Sequence, residues 1–272
     1  MKSYLYENLN FSESYDYFFF NKELPIFLAI GPCAIENREM ALDSINFCNR
    51  FNIKFFRAFL FKSRTSVYSF QGIGKDGIDI LKEIKSDFPE IRLICEISTT
   101  EQYEIVKDYV DVFQIGARSM YNTELLTFLG EKNLPIILKR HFGANIYEWL
   151  NMAEYYLYSG GRRILLCERG IKSFESSYRY SFDILSSSFI KQYSKIPVIA
   201  DPSHPSGNSL FVSDLALAAI VAGFKGLIIE THPDPRSALS DPSQQLSFTQ
   251  FTEFFQKLKN LNSKIFDKKI IK

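Results

Sequence analysis

Short apolar runs rich in Val, Ile and Phe alternate with stretches of helical period, and the alternation repeats eight times along the chain. The runs predict strands at 26–30, 55–59, 93–96, 112–115, 136–139, 164–168, 198–201 and 226–230. Helices are predicted between them at 38–50, 77–87, 100–109, 122–129, 145–158, 182–193, 212–222 and 249–261. A start signal marks the third helix, because Ser98, Thr99 and Thr100 precede it and Glu101 and Glu104 complement the positive end of its dipole. Short apolar strands joined by helices pair in parallel through crossovers. Eight such units in about 250 residues match an α/β chain folded as a (β/α)8 TIM barrel. No Pro/Ser-rich or charged linker divides them, so the expected organisation is a short N-terminal extension, 1–24, and a single barrel domain, 25–272. A doubly wound open sheet would show the same periodicity. What stands at the strand ends favours closure.

Composition narrows the function classes. With 272 residues, 46% apolar and 23% charged, the chain buries a large core, which excludes intrinsic disorder. Its 32 Lys+Arg and 31 Asp+Glu cancel to +1, so there is no net field to attract nucleic acid. No apolar run approaches the ~20 residues of a membrane crossing. The first 21 residues lack a basic segment followed by an apolar one, and Glu7, Glu13 and Asp16 interrupt them, so a cytoplasmic location is expected. Cys33, Cys48, Cys95 and Cys167 show no CxxC spacing, which argues against a disulfide framework or a local zinc finger. Any metal site must be assembled from distant segments. Gly72 and Gly74 lack the third glycine of a dinucleotide loop, and Cys48, Cys95 and Cys167 read as packing residues.

At or just after the end of each predicted strand stands a polar residue that a buried strand end does not otherwise favour. In order these are Cys33; Arg57 with Lys62 and Arg64; Glu96; Arg118; Lys139 with Arg140; Glu168 with Arg169; Asp201 with His204; and Glu230 with His232. A closed barrel would bring all of them to one mouth. Any single cation reads as a solvated loop charge, but Arg57, Lys62, Arg64, Arg118, Lys139 and Arg169 together call for phosphate or carboxylate. Cys33, His204, Glu230 and Asp241 add one sulfur, one imidazole and two carboxylates on separate loops, a set suited to one divalent ion, Mn, Fe, Co or Zn. Singly, Cys33 is a small buried hydrophobe, His204 a cap and Asp241 a turn former before Pro242.

These residues resemble the short type I form of 3-deoxy-D-arabino-heptulosonate 7-phosphate (DAHP) synthase. The resemblance runs through Gly31-Pro32-Cys33, Arg64-Thr65-Ser66-Val67-Tyr68-Ser69-Phe70-Gln71-Gly72, Gln114-Ile115-Gly116-Ala117-Arg118, Leu138-Lys139-Arg140, Cys167-Glu168-Arg169-Gly170, Asp201-Pro202-Ser203-His204, Glu230-Thr231-His232-Pro233 and Ala238-Leu239-Ser240-Asp241. It implies a barrel that condenses phosphoenolpyruvate with erythrose 4-phosphate and needs a divalent metal. By motif position it makes Cys33, His204, Glu230 and Asp241 the metal ligands. It assigns Lys62, Arg118, Lys139 and Arg169, with Arg57 nearby, to phosphoenolpyruvate, and Arg64 and Thr65 to the sugar phosphate. Glu96 would organise a water near the reacting carbon. Lys62 is the expected proton donor to the aldehyde oxygen, its pKa lowered by surrounding arginines. A homodimer or homotetramer is the family precedent, without an appended regulatory domain.

The chain departs from the family pattern in three places: Ser63 and Val67 replace prolines, and His141 replaces a glycine. The nearest rival is 3-deoxy-D-manno-octulosonate 8-phosphate synthase, which uses arabinose 5-phosphate. The order Lys62-Ser63-Arg64-Thr65-Ser66 lacks the extra residue that relative carries, and so favours the heptulosonate enzyme. A paralogue using another aldose phosphate, or a non-catalytic sugar-phosphate sensor, completes the alternatives; a sensor would be expected to lose metal ligands first.

Overall fold

A computed structural model describes residues 18–20 and 26–265, the last four by backbone alone. Tyr15 and Tyr17, expected with Phe18 to Phe20 to cover a barrel end or an interface, lie outside the described residues. Eight parallel strands close on themselves: β1 Phe27–Gly31, β2 Phe55–Arg57, β3 Arg92–Ile97, β4 Val112–Ile115, β5 Ile136–Lys139, β6 Ile164–Glu168, β7 Val198–Ala200 and β8 Gly226–His232. Closure is made by β1 on β8, where Phe27 to Gly31 pair in register with Gly226 to Glu230. The open-sheet alternative is thereby excluded. The crossovers carry helices α1 Arg38–Arg50, α2 Ile78–Asp87, α3 Thr100–Val106, α4 Thr123–Glu131, α5 Ile146–Tyr158, α6 Ser186–Tyr193 and α7 Ser209–Val221. After β8 a two-residue strand, β9 Leu246–Ser247, pairs with Thr231 and His232, and helix α8 Phe248–Ile265 follows.

Local chemistry explains where these elements begin. Asn37 caps α1 by accepting from the Met40 N–H, and Thr99 caps α3 by accepting from that of Gln102, as the Ser-Thr-Thr signal predicts. Asn145 and Glu148 close a reciprocal capping box on α5. The sixth helix starts at Ser186 rather than 182, because Phe182 is drawn onto Phe224 and the Ile184 N–H turns back to its carbonyl. β2 ends at Arg57, two residues early. Beyond it the chain keeps bonding as separate contacts, with Ala58 donating to the Ile94 carbonyl and the Phe59 carbonyl accepting from Ile35.

Alternation along each strand sorts side chains into two cores. Phe27, Ala29, Phe55, Ile94, Val112, Ile137, Leu165, Ile199 and Ile228 fill the barrel, while Leu28, Ile30, Phe56, Leu93, Cys95 and Leu166 face the helices. Phe19, 2% exposed, joins the inner cluster beside Phe27 and Phe55, with Phe18 and Phe20 packed against it. Arg92 and Arg163, at the entries to β3 and β6, lie over the Phe18 ring. Of the two expectations for this aromatic segment, Phe18 to Phe20 therefore close the N-terminal end of the barrel. The opposite end is left to polar groups.

Candidate active site

Two residues beyond six of the inward apolar side chains, the same alternation points a polar one toward the mouth. Arg57 follows Phe55, Glu96 follows Ile94, Gln114 follows Val112, Lys139 follows Ile137, Asp201 follows Ile199 and Glu230 follows Ile228. Above this ring lies a pocket lined by Lys62, Ser63, Arg64, Glu96, Arg118, Ser119, Lys139, Arg169, Arg179, His204 and Asp241, with the backbone of Gly116 and Ala117. Its six Lys and Arg side chains outnumber the two carboxylates, which suits an anionic occupant. Gly116 lies against the Glu96 carboxylate: a Cβ there would sit 2.5 Å from its Oε1 and would displace that group.

The candidate donors meet in two couples. Cys33 Sγ lies 3.2 Å from Oδ2 of Asp241, and His204 Nε2 lies 3.8 Å from Oε1 of Glu230. His204 stands on a single helical turn, Ser203–Ser206, and Asp241 on a left-handed residue at φ 46°. Asp241 thus serves as a turn former as well, whereas His204 lies inside its short helix, whose N-cap is Pro202, and caps nothing. Among the described residues, no three His, Cys, Asp or Glu side chains already form a cluster able to hold a metal ion.

The donor chemistry nonetheless fits one. His204 Nδ1 lies 2.7 Å from Oδ2 of Asp201 without the angle of a hydrogen bond, and Nε2 is the ring nitrogen that faces Glu230, 3.8 Å from its Oε1. Burial drives the imidazole pKa down to about 4 against the pull of Asp201, which keeps the ring neutral at neutral pH. Burial alone would raise the Glu230 carboxyl, but His204, Arg57 and Lys62 outweigh it and bring it down to about 2. Asp241 is likewise held far below the usual carboxylate range against its burial, by Lys62, His204, Arg64 and Arg179. Cys33 is the exception. Burial, with Glu230 and Asp241 nearby, pushes its thiol up to about 12, so the sulfur keeps its proton until a stronger cation replaces it.

Two of the cations are held on carboxylates that an arriving anion would share. Lys139 lies 2.5 Å from Oδ2 of Asp201, and Arg64 lies 2.9 Å from Oδ2 of Asp241. Arg169 rests its guanidinium 4.2 Å over the Tyr180 ring, with Nη1 buried and without a hydrogen-bond partner. Arg118 lines the rim and is exposed. Arg57 does not line the pocket: fully buried, it donates to Oε1 of Glu230 at 2.9 Å and to the Pro32 carbonyl. Thr65 is exposed and also lies outside the lining.

Several expectations need correcting. Lys62 was expected to lose basicity among arginines, yet its pKa is raised. Burial lowers it, but Cys33, Glu230 and Glu96 outweigh that, and Glu230 Oε1 is only 3.9 Å from Nζ. Arg140 and Glu168 do not reach the mouth. They occupy the opposite strand parity and pair with each other at 2.8 Å, with Arg140 also 2.8 Å from Asp183. His232 leaves for a separate pocket beside Glu36 and Asn37, where its Nδ1 accepts from the Asp234 N–H. His141 stands outside the lining, against Phe142 and Tyr121. Sequence reasoning missed Arg179, which lines the pocket, and Gln244 and Gln245, which bond to Glu230 and to the Cys33 backbone respectively. Arg179 lies on an irregular loop with no strand end to flag it, and glutamines carry no charge to notice.

The family model described as the DAHP synthetase I family matches residues 18–267. A curated Phospho-2-dehydro-3-deoxyheptonate aldolase from Thermotoga maritima is 41% identical over 231 residues, covering 85% of this chain and 68% of the relative. A 2-dehydro-3-deoxyphosphooctonate aldolase from Legionella pneumophila is 31% identical over 253 residues, covering 86% of this chain and 91% of the relative. Among solved structures, the DAHP synthase of Thermotoga maritima superposes with a TM-score of 0.83 at 38% identity, covering 88% of this chain and 69% of that one. A truncated form of the same organism's enzyme superposes with a TM-score of 0.80 at 36% identity, covering 88% of this chain and 87% of that one.

Proposed function

The chain belongs to the DAHP synthetase I family, and from that premise we propose that it condenses phosphoenolpyruvate with erythrose 4-phosphate, releasing inorganic phosphate and forming DAHP. The observation that carries this reading is the mouth itself, where six cationic side chains share one pocket with Glu96, His204 and Asp241. Lys62, Lys139, Arg118 and Arg169 would bind the phosphate and carboxylate of phosphoenolpyruvate, with Arg57 backing Glu230 from beneath. Arg64, with Thr65 beside it, would take the sugar phosphate. Gripping both substrates by their charged ends brings the enol carbon to ~3–3.5 Å of the aldehyde carbon and removes most of the orientational entropy.

Cys33, His204, Glu230 and Asp241 would hold one divalent ion, Mn, Fe, Co or Zn. When bound, such an ion supplies Lewis-acid polarisation of the aldehyde oxygen. Lys62 remains charged at neutral pH, so it can give its proton to that oxygen as the carbon–carbon bond forms. Glu96, whose Oε2 accepts from Nε2 of Gln114 at 2.6 Å, faces the pocket as an oriented acceptor for the water that attacks the second carbon of phosphoenolpyruvate.

Erythrose 4-phosphate is preferred over arabinose 5-phosphate because the heptonate relative is the more similar, 41% against 31%, and the Lys62-to-Arg64 spacing agrees. Phosphate release from phosphoenolpyruvate is to be measured with erythrose 4-phosphate, with arabinose 5-phosphate and with no aldehyde. The expected result is turnover with the first and little with the others, abolished by a chelator and restored by added metal. Equal or greater turnover with arabinose 5-phosphate would reassign the substrate, and activity surviving complete metal removal would overturn the ligand set.

A further inference from the structure

We propose that two adjacent glutamines, Gln244 and Gln245, are positioning residues that hold three of the four candidate metal donors in place. The inference rests on the metal reading given above and extends it to residues that neither the strand-end pattern nor the motifs single out. Both side chains are 1% exposed and both amides are used at each end. Gln244 donates from Nε2 to Oε2 of Glu230 at 2.6 Å, and its Oε1 accepts from Nη1 of Arg179 at 2.7 Å. The same Nη1 lies 3.4 Å from Oδ1 of Asp241. Gln245 accepts at Oε1 from the backbone N–H of Cys33 at 2.9 Å and donates from Nε2 to the carbonyl of Ser240 at 2.9 Å, one residue before Asp241.

Partner chemistry fixes both amides against flipping. The Glu230 carboxylate and the Ser240 carbonyl can only accept, while the Cys33 N–H and the Arg179 guanidinium can only donate. Neither amide can reverse without setting like groups against each other in a buried site. The glutamines are themselves anchored, since β9 begins at the next residue and its Leu246 pairs with Thr231, the neighbour of Glu230. The outcome is directional: with Oε2 of Glu230 bound by Gln244, Oε1 is the oxygen nearest His204 Nε2. Arg179 reaches its place past Gly207, where a Cβ would come within 2.8 Å of the Arg179 Cβ.

The test uses the full chain, stripped of metal and titrated with cobalt(II), following affinity by calorimetry and the sulfur-to-cobalt absorption band that reports Cys33. Wild type is expected to bind one ion with that band present. Gln244→Met, of similar length but unable to bond, is expected to weaken cobalt about 10- to 100-fold with the sulfur band retained. Gln245→Met is expected to lose most of the sulfur band, because the Cys33 backbone is released. Should either fail to fold, Arg179→Met alters the same chain of contacts from an exposed residue and is expected to weaken cobalt about tenfold. Variants with wild-type affinity and spectrum would overturn the brace while leaving the metal reading intact. A wild-type chain that binds no cobalt would remove the metal reading, and the brace with it.

Discussion

Two groups of charged residues stand at the same strand ends and differ by a single position. Lys139 and Arg169 point into the barrel mouth, whereas their neighbours Arg140 and Glu168 point outward, where Arg140 is closed in a buried ion pair with Glu168 and Asp183. Residue type does not separate them. Strand parity does, because a one-residue step reverses the face on which a side chain emerges. Of the inward pair, Lys139 is held on Asp201 and Arg169 rests over the Tyr180 ring with Nη1 unpaired, whereas the outward pair is satisfied within the scaffold. For a cation within a strand or one residue past it, the face is set by whether the residue two before it lies in the inner core; Lys62, Arg64 and Arg118 reach the pocket from loops instead.

The comparison can be broken from either side. On the inward side, Lys62→Ala is expected to lower kcat by about 10²- to 10⁴-fold, the usual contribution of a positioned proton donor, with an unchanged circular dichroism spectrum; near-normal turnover would remove Lys62 from the role. On the outward side, Arg140→Met is expected to reduce stability by about 3–5 kcal/mol in urea unfolding, because Glu168 is left buried without its partner. The KM values of the surviving enzyme should hold. A KM change for phosphoenolpyruvate without a stability loss would place Arg140 in the site after all.

A smaller effect separates Cys33 from the other donors. Its thiol stays protonated up to about 12, whereas His204, Glu230 and Asp241 have already lost their protons at neutral pH. On the proposed ligand set, binding of a metal would release one proton, and apparent affinity should rise by about tenfold per pH unit between pH 6 and 9. Calorimetry in buffers of different ionisation enthalpy counts that proton; a pH-independent affinity would argue against sulfur ligation. The smallest effect belongs to His141, whose pKa is lowered by burial, with Lys172, Arg169 and Arg118 adding to it, and which lies outside the pocket lining. His141→Gly is expected to change kcat/KM for erythrose 4-phosphate by about twofold or less, measured by phosphate release; a larger change would bring His141 into the substrate site.

Much of this was legible beforehand. The eight runs placed every strand of the barrel within a few residues, since apolar β-branched residues between helical stretches suit few arrangements other than a buried parallel sheet. Cys33, Lys62, Glu96, Lys139, His204, Glu230 and Asp241 announced themselves as polar groups where burial disfavours them. Arg140, Glu168 and His232 announced themselves equally well and serve elsewhere, because a charge reveals its position along a strand more readily than the partner it will meet. The direction of the Lys62 shift could not be read either, for it depends on a carboxylate 168 positions away, Glu230, that lies 3.9 Å from its ammonium. Gln244 and Gln245 were silent.

The amino-acid order by itself determined the element types, the barrel and the roll of groups able to bind anions or a divalent ion, because these follow from periodicity and from the chemistry of each residue taken alone. Tertiary structure alone decided which of those groups face one another: Cys33 beside Asp241, His204 beside Glu230, Arg140 turned away. Such pairings arise from β1 closing on β8 and from the twofold alternation of strands, and both act across distances in the chain that no local pattern records.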